Sequence, residues 1–579
     1  MCVKGLLIYL KQYRKECVLG PLFKLLEALF ELFVPLVMTS IIDVGIATGS
    51  RRYILERCGL LVLLAVVGLV CSITAQYFAA RAATGFSARL RSALFAHLQG
   101  LSYREIDTLG SATMITRMTS DVNQLQNGVN LALRLLLRSP FVVFGAMVMA
   151  FTIDVPGATV FAVAIPVLLA VVFAIILVTI PMYRKVQNRL DGVTAATREN
   201  LTGVRVLRAF RKEQEEIAEF SRRNRLLNQL QLRVGRISNL LNPVTYVILN
   251  LAVVALLRTG ALRVNSGALT QGQVVALYNY MSQILVELIK FANLIITMTK
   301  AVACGNRIQS VFALQSSQTS GSRHPEEALR GQVEFRNAGI TYGVAGGEAL
   351  SGVSFLARPG QTVGIIGGTG SGKSTLVNLI PRFYDATQGQ VLVDGVDVRE
   401  LNLEELRRRI AVVPQKAVLF RGTIRSNLLW GREDATEEEL QAALTVAQAM
   451  EIVQGRDQGL DAEVQQGGGN LSGGQRQRLT IARALIRQPE ILILDDSASA
   501  LDYATDARLR AAIGALPNPP TTFVVSQRAA SIRHADWILV LDDGRVVGQG
   551  THETLLEQCP VYQEIYHSQF RKEAHSHVS

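Results

Sequence analysis

The sequence predicts a multidomain chain: an all-α polytopic membrane domain of six transmembrane helices with long cytosolic extensions, followed by an α/β P-loop domain. Three observations carry this reading. Almost every long uncharged run lies before residue 300. Two polar segments of equal length interrupt those runs at equivalent places. A complete GxxxxGK[ST] motif follows an apolar, strand-like run in the second half. A chain of 579 residues is in any case too long for a single core.

A helix that crosses a bilayer needs about 20 mostly apolar residues. The uncharged runs 58–80, 155–183, 237–257 and 264–286 meet that requirement. Residues 18–42 are apolar apart from Lys24, Glu27 and Glu31, and 139–153 extends backwards through Leu135–Leu137. The predicted spans are therefore 18–42, 58–80, 135–153, 156–183, 237–257 and 266–297, within a membrane domain over 17–312. Residues 1–16 have no small-residue cleavage site after a short apolar core, so they read as an interfacial helix at the cytoplasmic surface. With that end inside, the outer loops near 44–56, 153–157 and 259–270 are short.

The net charge of +12 raises the question of nucleic acid, but the basic residues form no single dense block. Lys4, Lys11, Arg14 and Lys15 precede the first span, as cytoplasmic flanks of membrane helices do. No nucleic-acid partner is expected. The six cysteines are scattered without a CxxC pair, which fits neither a disulfide framework nor a zinc site.

Residues 81–133 separate the second and third spans and 184–236 the fourth and fifth; each segment has 53 residues. Both are polar, helix-favouring and nearly free of proline. Two antiparallel helices of about 25 residues would each reach roughly 37 Å. The expectation is a pair of helical stalks turning near Asp107–Thr116 and Thr202–Arg211.

Charges inside spans are costly and mark function by default. Lys24, Glu27 and Glu31 share one helix face by their spacing, as do Glu287 and Lys290 in the sixth span. Two readings stay open: lining residues of a polar or cationic substrate cavity, or ion pairs that neutralise one another.

Composition shifts near Ser316–Pro325, giving a linker over 313–330, a nucleotide-binding domain over 331–572 and a tail over 573–579. Strand-like runs follow the linker at Gln361–Ile366, Ile410–Val413 and Glu490–Leu494. The GGTGSGKS run, Gly367, Gly368, Thr369, Gly370, Ser371, Gly372, Lys373 and Ser374, lies between the apolar TVGII and the helix-forming STLVNLI that includes Thr375. Glycines there let backbone N–H groups close around phosphate oxygens, Lys373 reaches the β- and γ-phosphates, and Ser374 ligates Mg²⁺. The apolar run ILIL ends in Asp495, placed to hold Mg²⁺ from the end of a buried strand. The chain is expected to bind ATP with Mg²⁺.

Between those two motifs stands LSGGQ, with Ser472, Gly473, Gly474 and Gln475. Together they resemble the ATPase domain of the ABC transporter family. Tyr342 as the adenine-stacking aromatic, Gln415 in VVPQ, and SALD ending at Asp502 extend the resemblance. Six spans before one such domain look like an exporter-type half-transporter. The resemblance implies that two halves pair, that two ATPs lie between each P-loop and the opposite LSGGQ, and that Gln415 joins Ser374 and Asp495 around Mg²⁺. It also implies export of small or amphiphilic, drug-like molecules, lipid contact, and a bacterial inner (plasma) membrane with the ATPase domain in the cytoplasm.

Two positions depart from that family's pattern. Asp496 stands where a catalytic Glu is usual, and Gln527 replaces the switch histidine. A carboxylate one methylene short loses base geometry, and Gln carries neither the imidazole's charge nor its proton. Gln465–Gln466 further replaces a usual Gly-Glu pair. The pattern resembles the slowly hydrolysing half of a heterodimer whose partner carries the Glu and the His. The alternatives are a homodimer using Asp496 as base, or a nucleotide-gated channel or regulatory protein on the same scaffold.

Overall fold

The computed structural model describes residues 3–342 and 347–570 and divides into two compact units: 1–100 with 109–315, and 101–108 with 316–579. The tail 573–579, the last two residues of the predicted 331–572 domain and Cys2 lie outside the described residues.

The first unit is helical. Among the described residues, six helices are long and apolar enough to cross a membrane: Gly5–Ile46, Arg51–Gln99, Ser111–Ile153, Val155–Thr202, Glu213–Asn265 and Gln271–Phe312. Each runs well beyond its apolar run, because hydropathy marks only the lipid-facing stretch while the backbone ladder continues into polar sequence. The second and fourth helices reach 49 and 48 residues. The expected N-terminal helix is a 3₁₀ turn over Val3–Tyr13 that runs directly into Arg14–Ser40. Pro21 and Pro35 sit inside that helix, and Pro166 and Pro181 inside the fourth.

Polar side chains build the outer turns. Asp154, at φ −156°, separates the third and fourth helices; its carboxylate accepts from Gly157 N at 2.8 Å and from Arg263 at 2.7 Å. Thr270 and Gln273 form a capping box on the sixth helix, while Asp43 accepts from the Gly272 amide at 2.8 Å and from the Thr270 hydroxyl. Small residues let helices approach closely. A Cβ on Gly145 would lie 2.5 Å from Leu32 Cδ1, and one on Gly128 2.3 Å from Ala301 Cβ. Phe161, Leu168, Leu256, Leu277 and Tyr280 fill the centre.

The cytosolic turns come at 100–110 and 203–212, each built around a short helix, Tyr103–Leu109 and Val204–Ala209. Residues 101–108 belong to the second unit. There the Tyr103 ring lies 4.6 Å from that of Phe383, and Tyr384 donates to Asp107 at 2.5 Å.

The rest of the second unit is α/β. A six-stranded sheet runs in the order Arg545–Gly550, Trp537–Asp542, Thr362–Gly367, Thr521–Val525, Ile491–Asp495, Ile410–Val413. All neighbours are parallel except the Arg545–Gly550 edge. Its central strands are buried from end to end apart from Thr362, as uninterrupted apolar runs in a covered parallel sheet require. A four-stranded antiparallel sheet, ordered Glu348–Ala357, Val333–Thr341, Gln388–Val393, Val396–Asp397, adds a second layer. The stretch that reads as a linker is pinned: Gly321 N donates to Leu401 O and Arg323 N to Glu400 O, both at 3.0 Å. A Cβ on Gly321 would lie 1.9 Å from Glu400 O, so the glycine that signals flexibility in sequence is there for close approach.

Candidate functional site

The parallel sheet brings the predicted nucleotide residues to one edge. Gly367, Asp495 and Val525 end three adjacent parallel strands, so the P-loop, the Asp495–Asp496 pair and the Gln527 loop leave the same carboxyl-terminal edge. Ligands of open α/β sheets bind at that edge.

Glycine shapes the loop for specific reasons. Gly372 has φ +94°, and a Cβ there would stand 2.7 Å from Leu350 Cδ2 and 2.8 Å from Ala349 O. A Cβ on Gly367 would strike Leu541 O at 2.1 Å. Gly368 and Gly370, by contrast, face open space, and with Thr369 they form the exposed rim. The result is a tight backbone loop. The Lys373 ammonium lies in it, donating to Gly367 O at 2.9 Å and Gly368 O at 2.5 Å, beside the buried Ser371. Burial pulls its pKa below the usual lysine value, against the opposing charges of Asp496 and Asp495.

Ser374 donates to Asp495 Oδ1 at 3.0 Å. Burial raises the Asp495 pKa, with the Ser374 hydrogen bond working against it. Gln415 Nε2 donates to Asp496 Oδ2 at 3.2 Å. Hydroxyl, carboxylate and amide oxygens form a hard donor set suited to Mg²⁺, which is held by one or two carboxylates plus phosphates. Tyr342 is half-exposed, with its ring edge-on to Tyr384 at 5.1 Å and its hydroxyl 3.4 Å from Thr375 Oγ1.

The structure adds two features that the sequence does not announce. Asp496 has φ +47°, a left-handed backbone that Asp tolerates better than Glu. The loop bearing Gln527 is gripped from the last helix, Pro560–Phe570: Gln569 Nε2 donates to Gln527 O at 2.7 Å, and its Oε1 accepts from Ala529 N at 2.8 Å. No sequence signal distinguishes Gln569.

Ser472 opens the helix Gly473–Ile486 with a capping box: Gln475 N donates to Ser472 Oγ at 3.2 Å and Ser472 N to Gln475 Oε1 at 3.0 Å. Ser472 and Gly473 are exposed. A Cβ on Gly474 would lie 3.0 Å from Ala500 O. Among the described residues no hydrogen bond joins this run to the 367–375 loop. Asp502 caps the next helix through Thr505.

In the membrane helices the charges separate into two groups. Lys24 Nζ pairs with Glu27 at 2.5 Å and reaches Ser72 Oγ at 3.3 Å. Glu31 pairs instead with Arg138 Nη2 at 2.6 Å, whose Nη1 meets Glu287 Oε1 at 2.5 Å. Lys290 at 2.8 Å and Ser139 at 2.9 Å complete the shell of Glu287. The sequence reading passes over Arg138; its signal was a cation inside the predicted span 135–153.

Residues 17–288 match the ABC transporter transmembrane region, and residues 350–499 match the ABC transporter family. An ABC transporter ATP-binding protein of Mycobacterium tuberculosis is 39% identical over 568 residues, 97% of each chain. The ATP-dependent lipid A-core flippase of Chromobacterium violaceum is 31% identical over 573 residues, 98% of this chain and 97% of the flippase. The structure of a bacterial Atm1-family ABC exporter with ATP bound agrees with a TM-score of 0.80 at 25% identity, covering 96% of this chain and 98% of the exporter. The chain belongs to the ABC transporter family, as an exporter-type half-transporter in which a six-span membrane domain is fused to an ATP-binding domain. Its ATPase domain couples ATP hydrolysis to transport.

Proposed function

We propose that this half-transporter pairs with a second, different half, that its own ATP site hydrolyses slowly, and that its LSGGQ completes the fast site on the partner. The supporting observation is Asp496: it stands next to Asp495 and within reach of Gln415, but with a carboxylate one methylene short and a backbone that favours Asp. Gln527 removes the second hydrolytic group from the same edge of the sheet.

In this reading the amides of 367–375 and Lys373 bind the phosphates, Tyr342 stacks on the base, and Ser374, Asp495 and Gln415 hold Mg²⁺. When bound, Mg²⁺ supplies neutralisation of phosphate charge. Lys373 costs little to bring to phosphate, since its ammonium is already desolvated and held by carbonyls. Asp496 can still accept a proton from water, but from too far back for efficient base catalysis. Gln527 can donate to a phosphate oxygen without gaining charge. ATP thus acts here largely as a ligand that holds two ATPase domains together. Ser472–Gln475, at a helix start where Ser472 and Gly473 are exposed, supply amides and a hydroxyl to the partner's nucleotide.

The cargo class is an amphiphile, moved outward across the cytoplasmic membrane. The supports are the flippase relative and the polar groups within the spans. Purified alone in lipid nanodiscs, the chain should bind ATP and turn it over slowly; robust turnover without a second subunit would favour the homodimer reading instead. Flux of a fluorescent amphiphile into inside-out vesicles carrying both halves, dependent on ATP, separates transport from a gated channel.

A further inference from the structure

The charge cluster within the membrane helices has a buried centre and two open ends. Arg138 and Glu287 keep only 6% and 4% of their side-chain surface exposed, whereas Glu31 and Lys290 keep 43% and 44%. Glu287 is saturated by two cations and the Ser139 hydroxyl. Among the described residues Glu31 has a single charged partner, Arg138, and Lys290 a single one, Glu287. Arg138 Nε is buried and has no partner among the described residues.

Depth is consistent across three helices. Glu31 lies 15 residues before Ile46, Arg138 15 before Ile153, and Glu287 16 after Gln271. At 1.5 Å per residue each stands about 22–24 Å from the outer end of its helix, inside a hydrocarbon layer of about 30 Å. Half-exposed charges at that depth would each cost several kcal/mol against lipid tails, which favours polar surroundings for them. The bond path through the guanidinium keeps the Glu31 carboxylate and the Lys290 ammonium within about 10 Å of each other.

We propose that Glu31 and Lys290 are the two poles of a head-group site in the transport path, and that the site takes an amphiphile with a zwitterionic head, its cation at Glu31 and its anion at Lys290. The cluster of Glu31, Arg138, Glu287 and Lys290 is neutral as a whole and half-exposed at both ends, so a ligand of single charge would engage one pole only. A zwitterion satisfies both poles while the buried Arg138–Glu287 pair holds them apart. The site lies in the cytoplasmic half of the membrane, where an exporter collects its cargo. This inference rests on the amphiphile reading above and names its head-group class.

The test uses the full chain in detergent micelles and fluorescent amphiphiles that share one alkyl tail and carry phosphoethanolamine, phosphate or trimethylammonium heads. The phosphoethanolamine probe should bind roughly tenfold more tightly than either singly charged probe, the effect of one half-buried charge pair. Glu31→Gln should weaken the phosphoethanolamine and trimethylammonium probes and spare the phosphate probe. Lys290→Gln should weaken the phosphoethanolamine and phosphate probes and spare trimethylammonium. A merely structural ion pair would lower all three together, and that result overturns the proposal, as does equal binding of the three heads by the unaltered chain. Glu31→Asp, which keeps the charge, should retain the preference and guards against a folding defect in Glu31→Gln. Displacement by tailless phosphoethanolamine at comparable concentration would overturn the amphiphile assignment in favour of a soluble zwitterion. Binding of none of the probes would overturn the amphiphile reading itself.

Discussion

Replacing Asp496 by Glu and Gln527 by His in the same chain should convert a site that holds ATP into one that hydrolyses it. The added methylene advances the carboxylate by about 1.5 Å from the end of the strand Ile491–Asp495. Misplacement by about 1 Å can cost a hundredfold, and a well-placed base is worth about 10²–10⁴-fold. The double variant should therefore turn over ATP about 100-fold faster than the unaltered chain, or about 2.7 kcal/mol in the barrier. Stability should move the other way. Position 496 has φ +47°, where Glu is less at ease than Asp, so the variant should lose on the order of 1 kcal/mol. The assay is phosphate release by the purified chain in nanodiscs, with cross-linking to confirm an ATP-dependent dimer and a thermal melt alongside. A dimer that forms while turnover stays at the unaltered level would refute the reasoning, because geometry would then not be what limits hydrolysis.

Other outcomes follow from contacts already described. Gln569→Ala removes both bonds that grip the Gln527 loop; amide exchange at Ala529 should rise, with a local loss of about 1–3 kcal/mol and little change in the global melt. Arg138→Met leaves Glu31 without its cation and Glu287 short of one, and should cost about 3–5 kcal/mol in a thermal melt; Arg138→Lys should recover only part, since one ammonium cannot replace a fork bonded to two acids. Asp394 is fully buried, and burial, aided by the nearby Glu490 charge, pushes its carboxyl up to about 6 despite amide bonds from Gly331 and Gln332 and the Arg409 guanidinium. Between the ordinary value of 3.8 and about 6 the folded state holds a proton that the unfolded state has released. Stability of the ATPase unit should thus fall as pH rises through that window, by on the order of 2–3 kcal/mol, and Asp394→Asn should flatten the slope.

Local chemistry was legible in the sequence because it is contiguous. A phosphate loop needs its glycines, Lys373 and Ser374 within a few residues, and the strand that feeds it is one apolar run. The six spans were equally plain, since lipid demands length and apolarity in one stretch. Relations across the chain were less visible. Arg138 meets partners 107 and 149 residues away, and nothing in its own run names them. The linker's glycine and serines looked loose, yet residues 321–323 pair with 400–402 by backbone bonds, and only the bare backbone of Gly321 fits against Glu400. The left-handed turn at Asp496 and the grip of Gln569 are products of tertiary packing. Helix length needed composition as well as hydropathy: hydropathy falls at the membrane surface, whereas the hydrogen-bond ladder of Arg51–Gln99 continues into the polar, helix-favouring stalk.

The most direct test of the slow-site account is the identity of the nucleotide that the unaltered chain holds. Loaded with Mg·ATP, washed, and analysed after many partner turnovers, the site at Lys373 should yield predominantly ATP. A pool converted to ADP on the timescale of transport would contradict the account and make Asp496 an adequate base.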